Sequence, residues 1–214
     1  MRDIVKETLR YLGFGKAEPD AATLALIARA GEELSAAVKE RITLLELPLS
    51  IEGDSVQAGG VMFISKKLSA HLSGCERCVL LCATLGAGVD RLLARASARE
   101  MGYAAVLNAA ASAWIEDFLD EWQAEYLSQH PGESAVFRFS PGYGDWDISC
   151  QNEILNLLSA WRIGVTATES SMLVPVKSVT ALLGIKSDGC GTENAWHDCG
   201  KCTKLDCNFR KETI

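Results

Sequence analysis

The chain has 214 residues, 48% of them apolar and 23% charged, which is enough apolar material to bury one sizeable core and too much for a disordered chain. A formal charge of −7, from 21 Lys and Arg against 28 Asp and Glu, repels nucleic-acid phosphates on average and argues against a nucleic-acid partner. No stretch reaches the roughly 18 consecutive apolar residues of a membrane span. The first residues carry Asp3 and Glu7 without an unbroken apolar run, so the expectation is a soluble cytoplasmic protein with its eight cysteines reduced.

Pro19 precedes DAATLALIARAGEELSAAVKE, where Leu24, Ile27, Ala30, Leu34 and Val38 recur at helical steps and predict an amphipathic helix. RITLLELPLSIE switches to period two, with Leu45, Leu47, Leu49 and Ile51 on one face, and Pro48 within it suggests an edge strand or a bulge. Ser65 is placed to cap a short helix through Leu68 and Leu72 that Gly74 ends. The apolar run CVLLCA then predicts a buried strand, followed by a turn at Thr84-Leu85-Gly86.

From about Val89 to Gln129 the pattern is helical with a break near Gly102, and Leu107, Ala111, Trp114, Phe118 and Trp122 form one stripe. SAVFRFSPGYGDWD reads as an extended stretch entering a Gly/Pro loop. A helix follows near Ile154 to Trp161, with Ile154, Leu157, Leu158 and Trp161 apolar, and then come extended segments in VTATESSMLVPVKSVTALLGIKS. After Ser187 the aliphatics give way to Gly, Cys, Asn, His and Lys, so the expected organisation is one domain over 1–187 and a Cys-rich tail over 188–214. Helices and strands without regular βαβ alternation predict an α+β fold, an antiparallel or mixed sheet with flanking helices.

Arg138-Phe139-Ser140-Pro141-Gly142-Tyr143 brings a fixed cation, a kinked backbone, a residue without Cβ and an aromatic face within six positions. Arg can clamp a carboxylate bidentately, Gly142 permits close backbone approach, and Tyr143 offers a flat surface to a heteroaromatic ring. The same residues also suit a surface turn in which Arg138 pairs with a local acid. Among the acids of the preceding helix, Glu116 stands with Asp117, Asp120 and Glu121, a pattern that by itself describes a solvated helix face.

In this order along the chain, from about Gly59 to Ser187, the sequence resembles the reactivation, or S-adenosylmethionine-binding, domain of cobalamin-dependent methionine synthase. The resemblance rests on the long helix with Glu116, the Arg-x-x-Pro-Gly-Tyr motif at Arg138 to Tyr143, the following helix, and Thr168-Glu-Ser-Ser-Met-Leu-Val-Pro175-Val-Lys-Ser178-Val. It implies a twisted antiparallel sheet, a shallow groove for S-adenosylmethionine, and docking over cobalamin held by a partner. It also implies that Arg138 holds the methionyl carboxylate, that the backbone around Ser140, Gly142 and Tyr143 meets the adenosine end, and that Glu116 lies near the site. Thr168, Ser170, Pro175 and Ser178 read as turn and strand residues. The stretch before Gly59 matches poorly and leaves the partner of the cofactor's amino group unassigned, and an aromatic residue that the family places after the last strand has no clear counterpart.

Cys190, Cys199, Cys202 and Cys207 give Cys-x8-Cys-x2-Cys-x4-Cys with His197 between the first two, a spacing that suits tetrahedral zinc or an iron-sulfur cluster. Only one true Cys-x-x-Cys pair is present in the tail, which leans towards a cluster; free or reversibly oxidised thiols are the other reading. Cys78 and Cys82 share a face of the predicted strand and read as small core residues, while Cys75 is expected to point the other way.

The resemblance implies a stand-alone reactivation subunit that supports reductive methylation of cob(II)alamin, with one electron and a methyl group from S-adenosylmethionine restoring methylcobalamin. The client could instead be another corrinoid methyltransferase with a tail cluster as electron relay, or the chain could be a non-catalytic S-adenosylmethionine sensor with a zinc-bound tail. A flavodoxin or ferredoxin is the implied electron donor, which Lys201, Lys204, Arg210 and Lys211 could steer.

Overall fold

The computed structural model describes residues 4–15 and 17–187. In chain order its helices are α1 (Val5–Tyr11), α2 (Ala21–Ala37), α3 (Lys66–His71), α4 (Ala87–Arg99), α5 (Met101–Ser128) and α6 (Gln151–Leu157). Its strands are β1 (Arg41–Glu52), β2 (Ser55–Ala58), β3 (Val61–Ile64), β4 (Arg77–Thr84), β5 (Ser134–Ala135), β6 (Thr166–Ala167), β7 (Leu173–Val174) and β8 (Ser178–Lys186). Six of them form one sheet in the order β3-β2-β1-β4-β8-β5, with every pairing antiparallel, and β6 and β7 form a separate ribbon.

The sheet is covered on both faces, and the sequence of β4 shows why. From Cys78 onward every residue of this strand is buried, as a continuous apolar run requires when neither face meets water. Leu81 and Ala83 turn towards α1, α2, α4 and α5, where Ile27, Leu34, Leu107 and Leu119 complete the core. Cys78, Leu80 and Cys82 turn to the opposite face and pack with Phe63, Leu68, Leu72, Trp146 and Ile154. The period-two leucines of β1, Leu45, Leu47 and Leu49, join this second core.

The local signals place the helix ends. Asp20 accepts the Thr23 N–H at 2.7 Å to start α2, and Ser65 accepts the Leu68 N–H at 3.0 Å to start α3. The break between α4 and α5 falls at Glu100, with φ −152° and ψ 86°, two residues before Gly102.

Four expectations need correction. Pro48 does not mark an edge strand, since β1 lies between β2 and β4. It is the last residue in register with β4 and precedes Leu49, the first in register with β2, so its missing N–H interrupts neither ladder's interior. Leu24 is exposed on the outer side of α2. Trp161 is 67% exposed because α6 stops at Leu157, and Ser159, at φ 49°, starts a new tight turn that carries the ring off the apolar stripe. Cys75 packs against the same core as Cys78 and Cys82; it precedes β4 and so escapes the strand's alternation.

Candidate functional site

The segment that carries Arg138 runs alongside β8, and its register contains one extra residue. Ser134 and Ala135 lie opposite Lys186 and Ile185, and the Val136 N–H donates to the Gly184 carbonyl at 2.9 Å. The next bridge joins Phe139 to Leu182, not Arg138 to Leu182. Three steps on one strand therefore match two on the other, which is a β-bulge at Phe137 and Arg138. Val136 and Phe139 both enter the core shared with α3 and α6, while Arg138 is turned the other way, towards α5. The exposed Phe137 gives its carbonyl to His71, whose Nε2 lies 2.5 Å away and must be the donor, since a carbonyl only accepts.

On α5, Glu116, Asp120 and Gln123 stand at i, i+4 and i+7, one stripe of the helix. All three reach the Arg138 guanidinium: Nη2 donates to Asp120 at 2.6 Å and to Glu116 at 3.2 Å, and Nη1 donates to Gln123 Oε1 at 2.8 Å and to the Leu119 carbonyl at 3.3 Å. The Arg138 side chain is only 7% exposed, whereas Glu116 and Asp120 are 34% and 56% exposed. Two carboxylates on one guanidinium leave the cluster a net negative charge that opens to solvent.

The loop after Arg138 is closed by its own backbone. The Tyr143 N–H donates to the Ser140 carbonyl at 3.1 Å, the Trp146 N–H to Tyr143 at 3.0 Å, and the Gly142 N–H to Trp146 at 2.8 Å. Gly142 adopts φ 88°, a left-handed conformation that favours glycine, although a Cβ there would meet Ile148 only at an ordinary 3.6 Å. Trp146 is buried between Phe63 and Phe139, with ring centroids at 5.2 and 6.2 Å, and plugs the loop into the core. Ser140 is partly buried, and Gly142 and Tyr143 are left outside, Tyr143 with its ring edge towards Phe139.

Electrostatics link this loop to α5 and to the first helix. Burial, and then the Glu116 charge, push the Tyr143 hydroxyl above its ordinary pKa, with Arg138 opposing. The Tyr11 hydroxyl of α1 is pushed up in the same way, by burial first and by Glu116 next. The Glu116 charge is therefore felt by two tyrosines that the chain supplies from positions far apart. Of the expected site residues, Glu116, Arg138 and Tyr143 come together, and Ser140 and Gly142 shape the turn between them. Tyr11, Asp120 and Gln123 were missed, although helical spacing from Glu116 points to the last two.

Thr168 and Ser170 bond to each other at 3.0 Å across the β6–β7 turn, and Ser178 donates to Thr84 at 2.8 Å between neighbouring strands. Cys190, Cys199, Cys202 and Cys207 lie outside the described residues. Among the described residues no three His, Cys, Asp or Glu side chains are grouped to hold a metal ion, and no helix is long and apolar enough to cross a membrane.

No protein-family model matches the chain, and no curated protein matches it in sequence. Among solved structures, the MetH reactivation domain bound to AdoHcy matches with a TM-score of 0.59 and 16% identity, over 87% of this chain and 76% of that one. The mixed architecture, the antiparallel six-stranded sheet and its helical cover agree with that match, and the chain has the fold of the MetH reactivation domain.

Proposed function

We propose that the chain binds S-adenosylmethionine and serves as a separate reactivation subunit for a cobalamin-dependent methionine synthase, supporting reductive remethylation of cob(II)alamin on that partner. The observation that carries the reading is the cluster of Arg138, Glu116 and Asp120 beside the Tyr143 loop, in a chain with the fold of the MetH reactivation domain. S-adenosylmethionine carries a sulfonium and an ammonium against one carboxylate, a net charge of about +1 near neutral pH, which suits a cluster of two carboxylates and one guanidinium. When bound, it supplies an electrophilic methyl group.

The chain's own residues would do the placing. Arg138 would hold the methionyl carboxylate in exchange for Asp120, the more exposed of its two carboxylate partners. Glu116 would face the positive end, and Tyr143, with the turn at Ser140 and Gly142, would carry the adenosine end on an exposed ring. None of these groups needs to gain or lose a proton; their contribution would be orientation of the methyl group. The domain over 1–187 would bind the cofactor in a reducing, cytoplasmic setting, and the tail over 188–214 would be the place for an iron-sulfur cluster or zinc. A flavodoxin or ferredoxin would deliver the electron.

Calorimetric titration with S-adenosylmethionine tests the site. Wild type should bind saturably, and Arg138→Ala should weaken binding about tenfold or more. Tyr143→Ala, at an exposed position, should weaken it while leaving the circular dichroism unchanged. Wild type that does not bind, or binding indifferent to both substitutions, overturns the assignment. Methyl transfer to a reduced corrinoid synthase that lacks its own reactivation domain then tests the role.

A further inference from the structure

A second feature lies at the far end of α5. Between α2, α4 and the first turn of α5 is a pocket of about 210 Å3 whose rim carries Arg29, Arg95 and Arg99 with Glu33 and Glu100. Arg29 bonds to Glu33 at 2.9 Å and to Glu100 at 3.0 Å, and Arg95 approaches Glu33 at 3.8 Å. Arg99 forms no ion pair among the described residues. Three guanidiniums against two carboxylates leave one positive charge, on an arginine facing the pocket, in a chain whose net charge is −7.

The floor of the pocket points to the same ligand charge. Tyr103 is 2% exposed, Arg29 lies 3.8 Å over its ring centroid, and its buried hydroxyl makes no hydrogen bond of ordinary geometry within the fold. Burial, and then the Glu33 charge, push this hydroxyl up to about 12, so it remains a donor at neutral pH, and although Glu33 is near enough to raise it, no well-formed bond joins the two. A buried hydroxyl without a well-formed bond is stabilised by any acceptor that enters the pocket beside it. Glu100 ends α4 and begins α5, so the opposed dipole ends of the two helices meet here and the arginines set the local charge. Leu92 and Ala96, both nearly buried, add an apolar wall.

We infer that this pocket binds a small organic monoanion, its carboxylate held by Arg99 and the Tyr103 hydroxyl and its short aliphatic body set against Leu92 and Ala96. The single surplus charge favours a monoanion over a phosphate dianion, which would leave negative charge uncompensated beside Glu33 and Glu100. The volume corresponds to roughly seven waters and falls below the range of about 300–1,000 Å3 for drug-sized ligands, which selects a short acid. Tyr103 and Glu116 are about 20 Å apart along α5 at 1.5 Å per residue, so the two sites do not share residues and neither reading depends on the other.

The full chain is titrated with butyrate, and separately with inorganic phosphate, at constant ionic strength, followed by calorimetry and thermal denaturation. Butyrate should bind saturably and raise the melting temperature. Arg99→Gln, at an exposed position, should weaken it about tenfold and Tyr103→Phe about threefold or more, with S-adenosylmethionine affinity unchanged in both. Absence of saturable butyrate binding, butyrate affinity unchanged in Arg99→Gln, or phosphate bound in preference to butyrate overturns the proposal.

Discussion

The Asp145 carboxylate accepts the Ser65 hydroxyl at 2.5 Å, and the backbone N–H groups of Lys66 and Lys67, at 3.1 Å each, complete the clasp. Ser65 at the same time caps α3 through the Leu68 N–H. One hydroxyl thus starts a helix and ties down the Gly142–Tyr143 loop from 80 residues away in sequence. With Trp146 buried next to Asp145, the loop is held at its root while Tyr143 stays at the surface.

That clasp has a pH signature. The hydrogen bond from Ser65, and then the backbone donors, hold Asp145 below the ordinary carboxylate range. A depressed pKa in the folded state stabilises the protein above the unfolded value of about 3.9, and the contribution is lost as pH falls through the folded value. Asp145→Asn should therefore melt lower than wild type from about pH 5 to 7, with the gap closing on acidification. Thermal denaturation across pH 3–7 reads this out, and a gap that stays the same across that range would show that the contribution of Asp145 does not depend on its charge.

Glu116 and Asp120 touch the same guanidinium but should behave differently towards ligands. In the proposed pose Glu116→Gln removes a charge facing the positive end of S-adenosylmethionine and should weaken it about fivefold, with less effect on AdoHcy, which lacks the sulfonium. Asp120→Asn removes the competitor for Arg138 and should tighten AdoHcy, at a stability cost of about 0.5 kcal/mol, because Asp120 itself is half-exposed to solvent and Arg138 keeps Glu116 as a partner. Weaker AdoHcy binding in Asp120→Asn, measured by calorimetry, would rule out exchange of one carboxylate for the other.

Much of the scaffold was legible because its signals are local. The run Cys78–Ala83 and the alternation at Leu45, Leu47 and Leu49 report a strand buried on both faces and a strand with one apolar face, and Ser65 reports a helix start. The site was legible only in pieces. Glu116, Asp120 and Gln123 share a helical stripe, but their convergence on Arg138 depends on the bulge at Phe137 and Arg138. That bulge is set by register against Leu182 and Gly184, more than forty residues further on, which no local pattern encodes. Tyr11 was hidden for the same reason, since only the packing of α1 on α5 brings it to Glu116.

The thiols of Cys78 and Cys82 are pushed up to about 12 by burial, and in Cys78 additionally by Cys75. Because the thiolate is the nucleophile, neither should react with iodoacetamide at pH 8 in the folded chain, and both should react in denaturant. Peptide mapping of the labelled protein distinguishes these states. Cys82→Ser places a hydroxyl in the apolar core and should cost about 1–3 kcal/mol. Labelling of Cys82 in the native protein at the unfolded rate would mean that the second core does not close over β4.

Two helical glycines give opposite predictions for one substitution. Gly31 lies inside α2, and a Cβ there meets nothing within 4 Å, so Gly31→Ala should raise stability by about 0.5–1 kcal/mol through helix propensity and a less flexible unfolded chain. Gly88 lies in the first turn of α4, and its Cβ would sit 2.4 Å from the Ala37 carbonyl oxygen at the end of α2. That oxygen belongs to backbone and cannot swing aside, so Gly88→Ala should lower stability by about 1–3 kcal/mol although its propensity gain has the same sign. Urea midpoints at unchanged slope measure both. Two midpoints that rise together would mean that α4 does not start against the end of α2.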